Sequence, residues 1–196
     1  VSPPRPIPHK EMDQDDINGV IDDFRTATKR SIDAGYEIVE IHGAHGYLIH
    51  QFLSATSNQR KDHYGGSSAN RIRFAVDIAA AVREVWPKGK PVFFRLSAVD
   101  GKGGSWTLAD SISLAAALRD VGIEMVDVSS GGITGSSSMP MVPRIPAYQA
   151  SFSGLIRINA KISTIAVGGI TKPQQAEDIV KSGNADMIAM ARELLW

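Results

Sequence analysis

The chain has 196 residues, of which 43% are hydrophobic and 21% are charged, a composition typical of a globular protein with a substantial apolar core. Its 21 basic residues balance its 21 acidic residues, so nothing suggests a nucleic-acid-binding surface or a patch for anionic membranes. The absence of cysteine excludes disulfides, thiolate metal ligands and a cysteine nucleophile within the chain, and no apolar run is long enough to predict a membrane span.

The first eight residues contain four prolines, which predict an extended segment and leave no apolar stretch for a signal peptide. The chain starts without methionine, and its last residue, Trp196, falls within a sequence typical of a helix. We therefore expect a piece of a longer protein. The absence of targeting signals and cysteines favours a cytoplasmic location.

Helix and strand patterns alternate along the rest of the chain. Helical spacing of apolar residues predicts a first helix that ends near Gly35, and residues 36–41 follow as a strand. Ser67 or Ser68 is the predicted N-cap of a second helix, and Pro91 precedes a strand at residues 92–96. The apolar faces of these helices consist of Ile17, Val20, Ile21, Phe24 and Ala27, and of Phe74, Ile78, Val82 and Val85.

The second half of the chain continues the alternation. Thr107 and Asp110 resemble a capping box for a helix that ends at Gly122, before a strand at residues 125–128. The remaining predicted elements are a helix over residues 149–160, a strand over 164–167, a helix from Pro173 to Gly183 and a strand over 187–190.

A weak internal repeat relates these units to one another. Residues 35–41, 122–128 and 183–188 each contain a helix-ending glycine, a short turn and an apolar strand. Helices that alternate with apolar strands predict an α/β fold with a parallel sheet. Polar clusters follow the strand ends, which favours a (β/α)8 TIM barrel over a doubly wound sheet. Because five strands cannot close that barrel, we predict a single domain over residues 1–196 that contains about strands 4 to 8.

Two histidines and a tyrosine follow the first predicted strand, at the end where a barrel carries its catalytic residues. Neutral imidazoles at His42 and His45 could donate hydrogen bonds to one carbonyl or nitro oxygen and polarise it. The hydroxyl of Tyr47 could supply a proton beside them. This pattern predicts a substrate-binding pair with an adjacent general acid.

Two other interpretations of the histidines are available. A metal site is disfavoured because no nearby carboxylate cluster completes the coordination of His42 and His45, so we predict no metal. Both histidines could instead be structural hydrogen-bonding groups, but three such side chains at one strand exit favour chemistry. His50 and His63 stand alone, and we interpret each as structural or solvent-exposed.

Several blocks of the sequence resemble the old yellow enzyme family of FMN-dependent ene-reductases, in the family's order and over nearly the whole chain. Residues 42–48 and 51–54 are specific to that family. The other matching blocks are residues 58–66, 70–74, 94–97, 128–132, 167–169 and 190–195, whose glycine pairs also occur in many phosphate-binding barrels. The His-x-x-His form is most similar to the NADPH dehydrogenase branch sometimes called thermophilic-like.

The resemblance implies FMN as the cofactor and NADPH as the reductant. It implies that His42 and His45 hold the electron-withdrawing oxygen of an activated alkene and that Tyr47 protonates the α-carbon. Arg95 would face the pyrimidine edge of the flavin, where a fixed cation stabilises the negative charge of the reduced cofactor. The alternative for Arg95 is an ion pair with a carboxylate at a strand end.

The last two strands are each followed by a candidate phosphate-binding segment. Gly168 and Gly169 follow one strand, and Ala191 and Arg192 follow the next. In barrels the loops after strands seven and eight often bind phosphate through backbone N–H groups, and an arginine adds charge. The family often has glycine where Ala191 stands, and the methyl group of alanine would crowd a phosphate if a positive φ were required.

A polar run follows the histidines and consists of Arg60, Asp62, Tyr64, Asn70, Arg71 and Arg73. We interpret it mainly as a structural network that braces the catalytic loop. Trp86 and Trp106 are interpreted as packing or rim residues rather than cofactor platforms.

The sequence thus predicts an FMN-dependent NAD(P)H oxidoreductase that reduces activated C=C bonds of α,β-unsaturated carbonyl or nitro compounds. Its expected partners are the small-molecule alkene and NAD(P)H, with neither nucleic acid nor membrane, and a homo-oligomer is compatible with the sequence. The main alternative is a truncated, flavin-free fragment or paralogue that acts only as an assembly partner, because the family's N-terminal strands and C-terminal helix have no counterpart here.

Two further enzyme classes are alternatives to this prediction. A phosphate-binding aldolase or isomerase barrel is disfavoured because no lysine stands at a convincing strand end for a Schiff base. A related iron–sulfur dienoyl reductase stays open, since its cluster cysteines would lie beyond Trp196.

Overall fold

The computed structural model describes residues 10–134 and 145–195, and its centre is a sheet of five parallel strands. The strands are β1 (Val39–Gly43), β2 (Val92–Ser97), β3 (Met125–Ser129), β4 (Ser163–Val167) and β5 (Met187–Ala189). Each strand pairs with the next strand along the chain, and the order never reverses within the sheet. This sequential order is that of a barrel wall, whereas a doubly wound sheet has a point where the order switches.

The helices occupy the connections between the strands. They are α1 (Gln14–Asp33), α2 (Leu48–Leu53), α3 (Ser68–Arg71), α4 (Arg73–Val85), α5 (Leu108–Asp120), α6 (Ala150–Ala160) and α7 (Pro173–Lys181), and a 3-10 helix (Arg192–Leu194) follows β5. Helix α2 was not predicted, because six residues are too few to display helical periodicity. The first strand begins at Val39 rather than at Tyr36, so the prediction of its start was wrong. No helix among the described residues is long and apolar enough to cross a membrane.

Three helix-to-strand turns share one geometry. Gly35, Gly122 and Gly183 have φ values of 82°, 91° and 75°, which glycine adopts without a Cβ penalty. After each glycine, the next N–H bonds back to a helical carbonyl: Tyr36 to Ser31 at 3.1 Å, Ile123 to Leu118 at 3.0 Å and Asn184 to Ile179 at 3.0 Å. These are the long-range bonds of a Schellman motif. The internal repeat read from the sequence is therefore confirmed as a repeated helix-ending turn.

The capping box read from Thr107 and Asp110 is also confirmed at the start of α5. Ser67, one of the two predicted caps, accepts a hydrogen bond from the backbone of Asn70 and starts the short α3. The longer α4 follows immediately and buries the predicted face, of which Phe74 and Ile78 are inaccessible to solvent.

Strand residues alternate between the two faces of the sheet. Phe94 and Leu96 of β2 are fully buried and belong to a core cluster that also contains Phe74 and Leu114 from the helices. Arg95 lies between them and therefore points to the opposite face. We call that face the inner face, and it carries Glu40, His42, Arg95 and Asp127. Strand register places His42 beside Arg95 and Arg95 beside Asp127.

Candidate active site

The side chains with candidate chemistry gather at the carboxyl edge of the sheet, where the parallel strands end. The β1 strand ends at Gly43 and is followed by the loop of residues 44–47, which we call the histidine loop. The backbone N–H of His45 donates to Ser97 Oγ at 3.1 Å, and the ring Nε2 lies 2.6 Å from Ser129 Oγ. The ends of β2 and β3 therefore hold the loop that follows β1.

The two histidines and the tyrosine come together in space. The ring centroid of His42 lies 5.2 Å from that of His45 and 5.4 Å from that of Tyr47. Tyr47 is 63% exposed and stands immediately before α2. A cavity of about 710 Å³ lies elsewhere, between α1 and α4, and none of these three residues lines it. The candidate site is thus an open cluster at the strand ends.

The backbone of the histidine loop adopts an uncommon conformation. His45 has a φ of 60° and Gly46 a φ of 80°, a region that side-chain-bearing residues rarely occupy. Gly132 packs directly against this backbone, since a Cβ on Gly132 would lie 2.2 Å from the carbonyl carbon of His45. Such strain persists only when surrounding contacts fix it, and it is concentrated at functional sites.

His50 fixes the histidine loop from inside the protein. Its side chain is fully buried, its Nδ1 accepts the backbone N–H of Gly46 at 2.9 Å, and its Nε2 lies 2.8 Å from Asp100 Oδ1. Because Nδ1 accepts, the proton is on Nε2, which faces the carboxylate. Asp100 also accepts from Ser54 Oγ at 2.5 Å and from the backbone N–H of Trp106 at 2.9 Å. The structural interpretation of His50 is confirmed, and His63 is exposed.

Both histidines of the candidate site are neutral near pH 7. Loss of solvation lowers the pKa of His45 to about 4, and the charges of Arg95, His42 and His50 act in the same direction. Loss of solvation, followed by Arg95, also lowers the pKa of His42. Each neutral imidazole has one N–H and one lone pair. The pair can therefore donate hydrogen bonds to an oxygen without contributing a positive charge.

Arg95 has both an ion-pair partner and an unused donor. Its Nε lies 3.4 Å from Asp127 Oδ2, so the strand-end carboxylate that the alternative required is present. Burial raises the pKa of Asp127, against the effect of Arg95, and loss of solvation raises the pKa of neighbouring Glu40 to about 7. Within the described residues the buried Nε of Arg95 has no hydrogen-bond partner. Because Nε faces Asp127 and is closed to solvent, Arg95 can act on a ligand mainly through the charge of its guanidinium.

The candidate phosphate segments lie side by side at the same carboxyl edge of the sheet, beyond β4 and β5. Val167 pairs with Ala189, so the residues that follow β4 and β5 are neighbours. Gly168 and Gly169 have φ values of 103° and 65°, and Cβ atoms there would approach Gln149 Nε2 to 2.4 Å and the carbonyl oxygen of Ile145 to 3.0 Å. Glycine is thus required at both positions for the positive φ and for close packing against Gln149 and the Ile145 backbone.

Ala191 and Arg192 follow β5, and Arg192 begins the 3-10 helix. Ala191 has a φ of −119°, so its methyl group causes no backbone strain at this position. Arg192 is exposed. The phosphate candidates are separated from His42 and His45 by β2 and β3, which is the arrangement expected of a ligand that extends along the strand ends.

Sequence reasoning did not single out Gln149. This residue is 2% exposed, donates to the carbonyl oxygen of Val167 at 2.7 Å, and accepts from Ser130 Oγ at 2.6 Å. It joins the loop after β3 to the end of β4. No local signal marks a buried glutamine at the start of a helix, because its partners come from two other strands.

The polar run after the histidines forms a structural network, as interpreted from the sequence. Its side chains donate mainly to backbone carbonyls of the loop between α2 and α4: Arg71 to Leu53 and Gly66, Asn70 to Gly65, and Arg73 to His63. Arg60 pairs with Asp62 and donates to the carbonyl of Met12. Trp86 and Trp106 are each 2% exposed and pack in the core rather than at a rim.

Comparisons with known proteins agree on the class of the chain. The model of the "NADH:flavin oxidoreductase / NADH oxidase family" matches residues 4–196. An NADPH dehydrogenase of Geobacillus sp. (strain WCH70) is 46% identical over 187 residues, which are 95% of this chain and 53% of the relative. The chain therefore spans about half the length of the curated relatives it matches.

Two solved structures show a similar fold. A 2-naphthoyl-CoA reductase in complex with 2-naphthoyl-CoA is 26% identical with a TM-score of 0.84, over 93% of this chain and 28% of that chain. An old yellow enzyme homologue from Zymomonas mobilis is 27% identical with a TM-score of 0.73, over 93% of this chain and 50% of that chain.

Proposed function

Because the chain belongs to the NADH:flavin oxidoreductase / NADH oxidase family, we propose that it carries the substrate site of an FMN-dependent oxidoreductase that reduces activated C=C bonds. The resemblance to old yellow enzymes and the incomplete TIM barrel, predicted from the sequence, are confirmed. For the family, the flavin cofactor and the NADPH reductant are confirmed as well. The proposed substrates are α,β-unsaturated carbonyl or nitro compounds.

The observation that carries this proposal is the cluster of two neutral imidazoles beside a phenol. His42 and His45 each donate a hydrogen bond to the electron-withdrawing oxygen of the alkene. This contact draws electron density from the double bond and makes its β-carbon electrophilic. Neutral donors suit the task, because a charged imidazolium would lose its proton to the developing oxyanion.

Besides polarisation of the double bond, the reduction requires a proton, which Tyr47 supplies. Its hydroxyl protonates the α-carbon of the alkene, so that one hydride and one proton together saturate the double bond. The ring stands next to His42, and its exposure lets water restore the lost proton. The net reaction consumes NAD(P)H, one proton and the alkene, and releases NAD(P)+ and the saturated product.

FMN, when bound, supplies the hydride for the alkene. The residues that would hold it are Arg95, Gly168, Gly169, Ala191 and Arg192, and their roles stay predictions. Arg95 would offer its positive charge to the electron-rich edge of the flavin. The glycine pair offers backbone N–H groups to the phosphate, and Arg192 adds a positive charge.

Replacement of the Tyr47 hydroxyl tests the proposal. In the FMN-loaded protein, Tyr47→Phe is expected to slow alkene reduction by about 10²–10⁴-fold, the usual contribution of a general acid, and to leave flavin reduction by NADPH unchanged. Stopped-flow absorbance separates the two half-reactions. Tyr36→Phe is the matched control, since Tyr36 is 60% exposed at the opposite edge of the sheet. Equal slowing of both half-reactions by Tyr47→Phe would remove the proton-donor role.

A second candidate function is a flavin-free assembly partner. The unpaired outer edges of β1 and β5 within the described sheet favour it. Unpaired edge strands invite association with another chain. A circular-dichroism melt tests whether the chain is a folded unit. A cooperative transition indicates a folded unit, and its absence indicates a broken fragment.

The remaining sequence predictions stay predictions. They are the single-domain organisation of residues 1–196, the cytoplasmic location, the homo-oligomeric state, the absence of nucleic-acid and membrane partners, and the absence of a metal.

A further inference from the structure

A chain of hydrogen bonds leads from His45 to the phosphate segment. His45 Nε2 lies 2.6 Å from Ser129 Oγ, and Ser129 Oγ lies 3.4 Å from Gln149 Oε1. The amide of Gln149 also contacts Ser130 Oγ and the carbonyl oxygen of Val167. The directions of the bonds from Gln149 to Val167 and Ser130 can be assigned, since carbonyl oxygens only accept hydrogen bonds.

The carbonyl oxygen of Val167 fixes the orientation of the Gln149 amide. A carbonyl oxygen only accepts hydrogen bonds, so the Gln149 atom 2.7 Å from it is the amide nitrogen. The amide oxygen, Oε1, consequently faces Ser129 and Ser130. That oxygen also only accepts, and it receives the Ser130 hydroxyl at 2.6 Å.

The hydroxyl proton of Ser129 then has two possible acceptors. Gln149 Oε1 is 3.4 Å away, well beyond the range of about 2.5–3.0 Å for an O–H···O hydrogen bond. His45 Nε2 is 2.6 Å away. The shorter contact favours His45 Nε2 as the acceptor of the Ser129 proton, whereas the opposite tautomer of His45 would leave Ser129 to donate to Gln149 Oε1.

We propose that Ser129 is a positioning residue that holds His45 in the tautomer with its proton on Nδ1. A nitrogen that accepts a hydrogen bond carries no proton, and the low pKa of His45 keeps the ring neutral near pH 7. The single N–H of the ring is then on Nδ1, which has no hydrogen-bond partner among the residues that the structure describes. This inference rests on the proposed function for one point, the role of His45 as a donor to the substrate oxygen.

The tautomer decides whether His45 attracts or repels that oxygen. With the proton on Nδ1, the free side of the ring donates a hydrogen bond. With the proton on Nε2, Ser129 would receive it, and the free side would present a lone pair to an electron-rich oxygen. One serine hydroxyl thus sets the sign of the interaction between His45 and a carbonyl or nitro group.

His50 provides an internal comparison. Its Nδ1 accepts from the backbone N–H of Gly46, so its proton is on Nε2, which lies 2.8 Å from Asp100 Oδ1. The structure hence assigns opposite tautomers to two histidines five residues apart.

Long-range 1H–15N correlation spectra of the uniformly labelled 196-residue chain at pH 7 test the proposal. We expect unprotonated Nε2 and protonated Nδ1 signals for His45, identified by their loss in His45→Asn, and the reverse pattern for His50. In Ser129→Ala the Nε2 of His45 loses its donor, so its signal is expected to shift toward that of a protonated nitrogen. Ser113→Ala is the matched control, because Ser113 is exposed on α5 and bonds only to its own helix at the carbonyl of Ala109.

Two results would overturn the proposal: a protonated Nε2 of His45 in the unaltered chain, or a pure Nδ1–H tautomer that persists in Ser129→Ala. The spectrum of the unaltered chain decides the first even if Ser129→Ala does not fold. Neither measurement needs FMN or substrate. A correct tautomer combined with equal slowing of both half-reactions in Tyr47→Phe would refute the proposed function alone.

Discussion

The sheet has one edge where helices lead into strands and an opposite edge where strands end. Residues with positive φ occur at both, but for different structural reasons. At the edge where helices lead into strands, Gly35 and Gly183 have positive φ values, and a Cβ at either position would meet nothing within 4 Å. At the edge where strands end, Gly132 also has a positive φ, but a Cβ there would collide with the backbone of His45 and Gly46. Gly35 and Gly183 are thus needed for their turns alone, whereas Gly132 is needed for both the turn and close packing.

The helix-to-strand turns thus contribute to stability, whereas the strand-end loops also position the candidate catalytic residues. The helix-to-strand turns repeat a local motif and require no distant partner. The histidine loop depends on Ser97, Ser129 and Gly132 from neighbouring strands, and on buried His50. A strained loop fixed from several sides keeps its side chains in one arrangement, which is what positioned catalytic groups need.

The largest expected effect comes from the buried support of the catalytic edge. Asp100→Ala removes the acceptor for His50, Ser54 and the Trp106 N–H, so we expect a loss of about 3–5 kcal/mol in the free energy of unfolding. Urea titration measures it. At the other edge, Arg157→Ala removes a partly exposed pair with Asp186 and is expected to cost less. Similar losses for both variants would contradict the comparison.

The next effect separates the two kinds of glycine. Gly183→Ala is expected to cost about 1–2 kcal/mol, because alanine there pays only for the left-handed backbone. Gly132→Ala is expected to cost about 1–3 kcal/mol more, because the new methyl group must push the histidine loop away. Chemical denaturation provides both numbers. If the two variants were equally stable, the close approach of Gly132 to His45 would be wrong.

The pH dependence of stability is expected to report the environment of His45. Its folded pKa of about 4 lies below the ordinary histidine value of about 6.5, so the unfolded chain binds more protons between these pH values. This contribution to stability is present above about pH 6.5 and is lost as the pH falls toward about 4. His45→Asn should therefore reduce the slope of unfolding free energy against pH in that window. His63→Asn controls for the loss of an imidazole, and an unchanged slope in His45→Asn would argue against a buried, neutral His45.

The smallest effect concerns a helix end that lacks glycine. Lys161 ends α6 with a φ of 53°, whereas glycine is the residue with positive φ in each of the three repeated turns. Lys161→Gly is expected to raise the free energy of unfolding by less than about 1 kcal/mol, because it removes the left-handed strain. Lys161→Ala removes the long side chain but keeps the Cβ, and it should show no such gain. An equal gain for both would assign the effect to the lysine side chain.

The sequence predicted the parts of the fold that follow local rules. Thr107 and Asp110 lie three residues apart, and Gly35, Gly122 and Gly183 directly follow their helices, so their signals are visible in short windows. The cluster of His42, His45 and Tyr47 was predicted for the same reason. Its assignment to a family came from resemblance rather than from spacing.

The supports of the site could not be predicted, because they depend on strand register. Ser129 lies 84 residues from His45 in sequence, and Gln149 is a further 20 residues along the chain. Asp100 is equally unmarked, since nothing local pairs it with His50. The ion pair of Arg95 with Asp127 likewise appears only in three dimensions, and the role of Arg95 toward a flavin stays a prediction.

The central claim is that the strand-end edge of this chain holds a reducible flavin. It is tested most directly by adding FMN to the chain and recording the visible flavin spectrum before and after NADPH. Arg95→Ala removes the cation of the inner face, and Arg157→Ala removes an arginine at the opposite edge as a control. We expect weak but saturable FMN binding that NADPH bleaches, with affinity lost in Arg95→Ala and kept in Arg157→Ala. FMN binding that is absent, or identical in all three proteins, would contradict the claim.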